Sequence, residues 1–226
     1  MKLSAKKLTM QFNDAGRTIE VFHDLDLEVP SGSSVAIVGE SGVGKTTLLY
    51  VLGGLERPVA GDVVLGDSFS YNTYVGQGRD LAGLRRKYLG FVFQMHYLLP
   101  EFDALENVSM PLLIQGVDLA EARERANNLL GRVGLSHRLS HRPGALSGGE
   151  QQRVAIARAV AGKPGVVLAD EPTGNLDHRT GSEVSKLLKQ LQKEEGITLL
   201  VVTHSLDFAR TMDRIVELTP QGLFER

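Results

Sequence analysis

Val35-Ala36-Ile37-Val38-Gly39-Glu40-Ser41-Gly42-Val43-Gly44-Lys45-Thr46-Thr47 is the stretch on which the fold turns. Its first four residues are apolar and mostly β-branched, which reads as a buried strand. A glycine-rich turn follows, and the residues from Lys45 to Leu52 then have helical character. Every fixed position of the pattern G-x-x-x-x-G-K-[ST] is filled, by Gly39, Gly44, Lys45 and Thr46. A phosphate chain is densely negative and needs donors and positive potential without bulk. Glycines let backbone N–H groups approach closely, and the N-terminus of the following helix adds its positive dipole end. Gly39, Glu40, Ser41, Gly42, Val43 and Gly44 thus form a cradle for a nucleotide. Lys45 reaches the β- and γ-phosphates, the Thr46 hydroxyl suits Mg²⁺, and Thr47 suits an α-phosphate oxygen. The bland alternative is a chance glycine turn, and a strand before it with a helix after it argues against that.

Outward from this loop, apolar strands alternate with amphipathic helices, the pattern of an α/β fold. Strands are expected at 61–65, 166–169 and 197–202, with a last one at 214–218. Helices are expected at 119–133, 149–160, 181–193 and, more briefly, 205–212. The stretch 67–79 is polar and glycine-bearing with no clear period, and reads as a mobile loop. The region 92–145 is richer in helix than its flanks. It is expected to be a helical subdomain inserted in the core of one domain spanning 1–226.

With 25 basic and 27 acidic side chains the net charge is −2, which gives no global drive toward nucleic acid or anionic lipid. No nucleic-acid partner is expected. There is no cysteine, so disulfides and thiol chemistry are excluded. The first residues lack an apolar signal core, and no run approaches the roughly 18 apolar residues needed to cross a bilayer. Any work at a membrane would need another chain to supply the span.

Two further stretches carry chemistry. Val166-Val167-Leu168-Ala169-Asp170-Glu171 is an apolar strand closing on two carboxylates. Ligands of parallel α/β sheets gather at the carboxyl ends of strands, so Asp170 is placed to hold Mg²⁺ through water. Glu171, just beyond, is the candidate general base for an attacking water. A solvated acidic strand end is the alternative. Leu146-Ser147-Gly148-Gly149-Glu150-Gln151-Gln152-Arg153 opens a second helix with small residues. On its own it is either an ordinary capped helix, with Ser147 and Glu150 in a capping box, or another anion site. As an anion site it would bind a second anion, or grip one nucleotide from the opposite side in a head-to-tail dimer.

Together these residues resemble the ABC ATPase family. The phosphate loop matches its Walker A, 166–171 its Walker B, and 146–153 its LSGGEQQR signature. Gln94 matches the Q-loop glutamine, Gly174-Asn175-Leu176-Asp177 the D-loop, and His204 the switch histidine, all in family order over nearly the whole chain. The resemblance implies a P-loop NTPase fold of the ABC type, with a helical subdomain and an antiparallel β-subdomain. It implies ATP and Mg²⁺ as ligands and a homodimer with ATP at the interface. Catalytic roles would fall to Glu171, His204, Gln94 and Lys45, and metal contacts to Thr46, Gln94 and Asp170. Ser147, Gly148 and Gly149 would close over the partner's ATP, with Asp177 at the same interface. The family also sets an aromatic against adenine. Phe12 is the match here, its alternative being an ordinary core position.

Within the family, 89–108 resembles the lipoprotein-releasing branch, as do 53–56 and 110–114. Met95, Tyr97, Leu98, Leu99 and Phe102 follow Gln94 as a dense apolar group. Such a group suits the floor of a groove for a helix of an integral membrane subunit, docking at about 94–102. The implied location is peripheral, on the cytoplasmic face of the inner membrane. Efflux ATPases of the MacB type and division ATPases of the FtsE type share this architecture and stand as alternatives.

Overall fold

The computed structural model describes residues 1–14 and 16–226. In chain order, β1 (Leu3–Asp14), β2 (Arg17–Val29) and β3 (Ser34–Val38) lead into α1 (Lys45–Leu52). Then come β4 (Ala60–Leu65), β5 (Phe69–Ser70), α2 (Tyr71–Gly76), α3 (Leu81–Tyr88) and β6 (Leu89–Val92). Between β6 and the next strand lie α4 (Ala104–Ile114), α5 (Leu119–Arg132), a short 3₁₀ turn at Pro143–Ala145, and α6 (Gly148–Ala161). The chain continues through β7 (Val166–Asp170), α7 (His178–Glu194), β8 (Thr198–Val202), α8 (Leu206–Ala209), β9 (Arg214–Thr219) and β10 (Gly222–Glu225).

Two sheets result. One is antiparallel, in the order β2-β1-β4-β5. The other runs β10-β9-β3-β8-β7-β6 and is parallel except for β10. Every residue of β3, β7 and β8 is buried, as expected for strands covered on both faces. Their period-2 alternation divides them between two cores. Ala36, Val38, Val167, Ala169, Leu199 and Val201 face one core with α4, α5, α6 and α7. Val35, Ile37, Val166, Leu168, Leu200 and Val202 face the other, with α1 and the antiparallel sheet. The parallel strands end together, and that edge carries the phosphate loop, Asp170 and the residues after β8. No helix among the described residues is long and apolar enough to cross a membrane.

Three expectations from sequence need correction. The stretch 67–79 is not a loop throughout, because it holds β5 and α2. Ser70 caps α2 by accepting from the Thr73 N–H at 3.1 Å, and Asp62 of β4 accepts from the Asn72 N–H at 3.0 Å. The Tyr71 ring is buried and its hydroxyl donates to the Leu52 carbonyl at 2.9 Å. Single anchors of this kind leave no periodic pattern. The strand at 214–218 is not the last, since β9 turns back into β10. The Thr219 side chain closes that turn, accepting from the Gln221 N–H and donating to the Gly222 carbonyl. The helix expected over 205–212 has only the four residues of α8.

Candidate functional site

The phosphate loop leaves β3 at Gly39 and enters α1 at Gly44. Gly44 is left-handed, with φ of +105°, and a Cβ there would overlap Val21 of β2. Only glycine suits that backbone and that contact. The position caps α1 with no side-chain hydrogen bond, and the first turn has no acidic residue. The opening N–H groups of α1 are therefore left for an anion. Lys45 is 9% exposed and donates to the carbonyls of Gly39 at 2.9 Å and Glu40 at 2.7 Å.

Behind the loop, the Thr46 hydroxyl donates to Asp170 Oδ1 at 3.0 Å. The Asp170 carboxyl is pushed above the usual range by burial, and Glu171 adds to this against the pull of Thr46 and Lys45. A buried carboxylate and a hydroxyl in contact are hard oxygen donors that fit Mg²⁺. Glu171 stands just past β7 with φ of +43°, its N–H donating to the Val202 carbonyl at 2.9 Å. That left-handed turn aims its carboxylate across the strand ends, where Oε2 lies 2.9 Å from His204 Nδ1 and accepts from the His204 N–H at 3.2 Å. Lys45, Thr46, Thr47, Gln94, Glu171 and His204 share the lining of one cleft of about 400 Å³ with Ser41, Gly42 and Gly44.

The 146–153 stretch stands elsewhere. Ser147 and Glu150 form a complete capping box on α6, with Glu150 Oε2 accepting from the Ser147 N–H at 2.8 Å. That bond, with help from the Ser147 hydroxyl and Arg138, holds the Glu150 carboxyl down at about 2. Ser147, Gly148 and Gly149 line a second cavity of about 480 Å³ with Asn175 and Asp177, sharing no residue with the phosphate cleft. One chain thus carries two separate cavities. Asp177 caps α7, accepting from the N–H groups of Arg179 and Thr180, both at 3.1 Å. Its carboxyl is lowered chiefly by its bond with the Thr180 side chain. Phe12 is 42% exposed beside Ile19 on the β1–β2 ribbon, so it is not a core residue.

Some of the supporting contacts carry no sequence signal. Arg138 donates from Nε to Glu150 Oε1 at 2.9 Å, bracing the capping box. Gln152, buried on α6, donates to the carbonyl of Pro172 at 2.7 Å, tying that helix to the turn after Glu171. Arg158, also on α6, donates to the carbonyls of His96 at 2.7 Å and Tyr97 at 2.6 Å. Both carbonyls belong to left-handed residues in the apolar segment after Gln94. Buried Asn107 holds the rest of that segment through the backbone of Leu99, Phe102 and Asp103. Fixed this way, Met95 and Tyr97 stay 64% and 61% exposed.

The sequence model of the family described as ABC transporter matches residues 22–174, most of the chain. The chain belongs to the ABC transporter family. Among its relatives, the lipoprotein-releasing system ATP-binding protein LolD of Pseudomonas syringae pv. tomato is 50% identical over 225 residues, covering 99% of this chain and 97% of that one. LolD of Xylella fastidiosa is 49% identical over 224 residues, covering 99% and 92%. The dimeric structure of MJ0796, a bacterial ABC transporter cassette, superimposes with a TM-score of 0.88 at 38% identity, covering 99% of this chain and 98% of that one. A post-hydrolysis dimer of the same cassette, bound to ADP and Pi, gives 0.88 at 37% identity with the same coverage. In this ABC transporter relative, Lys45 and Glu171 line the cleft and Ser147, Gly148 and Gly149 line the separate cavity.

Proposed function

We propose that this chain is the ATP-hydrolysing motor subunit of a lipoprotein-releasing ABC transporter. It works as a head-to-tail homodimer held at the cytoplasmic face of the inner membrane by integral membrane subunits. The observation that carries the reading is the separation of the two half-sites. The cleft with Lys45 and Glu171 has no residue in common with the cavity of Ser147, so a partner's signature is needed to enclose the phosphates. Near 50% identity over the full chain to proteins named for lipoprotein release favours that branch over efflux and division ATPases.

In this scheme the loop N–H groups and Lys45 hold the phosphates, and Phe12 stacks on adenine. Thr46, Asp170 and Gln94 would hold Mg²⁺, which would neutralise charge on the transferring phosphoryl group. Glu171 orients the attacking water and takes its proton, while His204 fixes the Glu171 carboxylate and faces the γ-phosphate. Ser147, Gly148 and Gly149 of the partner complete the cradle, with Asp177 beside them. Most of the rate enhancement comes from positioning and charge stabilisation. The helical region 92–145 carries the motion to the membrane subunits, which dock on Met95, Tyr97, Leu98, Leu99 and Phe102.

Mixing two inactive variants tests the shared site. Lys45→Ala and Ser147→Arg each abolish hydrolysis alone, while their mixed dimer retains one intact composite site and regains activity. A mixture as inactive as its parts sinks the shared site. ATP-dependent release of lipoprotein from vesicles containing the membrane subunits tests the cargo.

A further inference from the structure

Glu171 keeps a backbone that glutamate disfavours. Its φ of +43° lies in the left-handed region, and such a residue persists only where its surroundings over-determine it. Backbone bonds fasten it on two sides. Its N–H donates to the Val202 carbonyl at 2.9 Å, and its own carbonyl accepts from the Gly174 N–H at 3.0 Å. Further along the turn, Gln94 Nε2 donates to Asn175 Oδ1 at 2.9 Å. Pro172, the next residue after Glu171, is buried and has no N–H, so its carbonyl is the one hydrogen-bonding group by which it is held. Gln152 takes that group. From the second turn of α6 its Nε2 donates to the Pro172 carbonyl at 2.7 Å. Only a donor suits a carbonyl, which fixes the orientation of the amide. Gln152 is 1% exposed, and its Oε1 accepts from no protein group among the described residues. The bond to Pro172 is thus what its amide serves.

We propose that Gln152 is a positioning residue for hydrolysis: by pinning the Pro172 carbonyl it holds the left-handed turn that aims the Glu171 carboxylate. This rests on the reading of Glu171 as the base that orients the attacking water. The bond lies within one chain and acts on that chain's own Glu171. Without it the Pro172 carbonyl is buried with no donor, and the turn relaxes toward the backbone that glutamate prefers. The carboxylate then leaves the place where its Oε2 stands 2.9 Å from His204 Nδ1. Gln152 lines neither the phosphate cleft nor the cavity of Ser147, so it acts through Glu171 and not by touching nucleotide. A reacting group misplaced by about 1 Å costs up to about 10²-fold in rate, which sets the scale of the effect.

The test measures kcat and KM for ATP in the full chain carrying Gln152→Met, which keeps the length without the donor, or Gln152→Asn, which keeps the amide one carbon short. Each is made alone and together with Glu171→Gln. Either change alone should lower kcat by about ten- to hundredfold, while KM and nucleotide binding move by less than about twofold. In the Glu171→Gln background neither should lower the residual rate further, because no base is left to aim. A merely structural role reduces the folded fraction instead, and lowers the rate by the same factor in both backgrounds. That result overturns the proposal, as does an unchanged kcat or loss of the fold in both variants. If Glu171→Gln alone turns over like the wild type, the reading of Glu171 as the base fails, and the positioning with it.

Discussion

The phosphate loop and the 146–153 stretch are both glycine-rich entries to a helix, and Gly44 and Gly148 are glycine for opposite reasons. In the phosphate loop the constraint comes from inside the protein. Gly44 needs a left-handed backbone, and Val21 occupies the place of its side chain. In the 146–153 stretch neither Gly148 nor Gly149 has a positive φ, although a Cβ on Gly149 would overlap the Thr180 side chain. A Cβ on Gly148 would meet only Leu176 Cδ2, at an ordinary 3.6 Å. Nothing within this chain forbids a side chain at Gly148, and in the proposed dimer its bareness leaves room for the partner's ATP. The two caps differ in the same sense. Gly44 leaves the first N–H groups of α1 open, whereas Ser147 and Glu150 finish the start of α6 internally. In the proposed dimer the phosphate loop receives the ligand, and the start of α6 is a finished surface that is pressed onto one.

The largest test of this contrast removes chemistry and leaves both surfaces intact. Glu171→Gln should lower phosphate release by about 10²–10⁴-fold, while the ATP-bound dimer persists in gel filtration. Next come the two glycines. Gly44→Ala should abolish nucleotide binding by the isolated chain and destabilise it by about 1–3 kcal/mol in thermal unfolding. Gly148→Ala should melt and bind nucleotide like the wild type, yet fail to dimerise with ATP. If Gly148→Ala loses its fold instead, the contrast is wrong. A smaller effect is expected from Arg138→Ala, which unbraces Glu150. The ATP concentration needed for dimerisation should rise by a few fold, with Lys45-dependent binding unchanged. The smallest concerns pH. The Glu150 carboxyl sits at about 2 when folded, below the ordinary glutamate value of 4.5. Its contribution to stability is therefore complete above about pH 4.5 and is lost as pH falls through 2. Glu150→Gln should remove that part of the acid-unfolding slope and leave the slope above pH 4.5 unaltered.

Strand, loop and helix over 35–52 are legible in the sequence because close approach to phosphate demands glycine and lysine at fixed spacing. The buried strands β7 and β8 are legible because both faces are covered, which leaves unbroken apolar runs. The β1–β2 ribbon is not. Its pairing carries register shifts between Ala5 and Leu8, Leu8 and Met10, and Met10 and Gln11, which blur the alternation a strand should show. β5 and α2 are hidden because single contacts of Asp62, Ser70 and Tyr71 fix them, and such contacts leave no period in the sequence. The site divides the same way. Lys45, Thr46 and Asp170 lie where a loop and a strand end must meet, so pattern alone brings them together. The contacts of Arg138, Gln152 and Asn175 are made between elements that only the folded chain apposes.

The position of Lys45 has a kinetic consequence. Its ammonium already sits inside the loop, satisfied by the carbonyls of Gly39 and Glu40. Arrival of nucleotide exchanges one set of oxygens for another around a side chain that is already in place. The loop is thus preorganised, and little chain entropy remains to be lost on capture. Association with the isolated chain should proceed in a single phase whose observed rate climbs in proportion to nucleotide concentration, without the plateau that a slow loop rearrangement would impose.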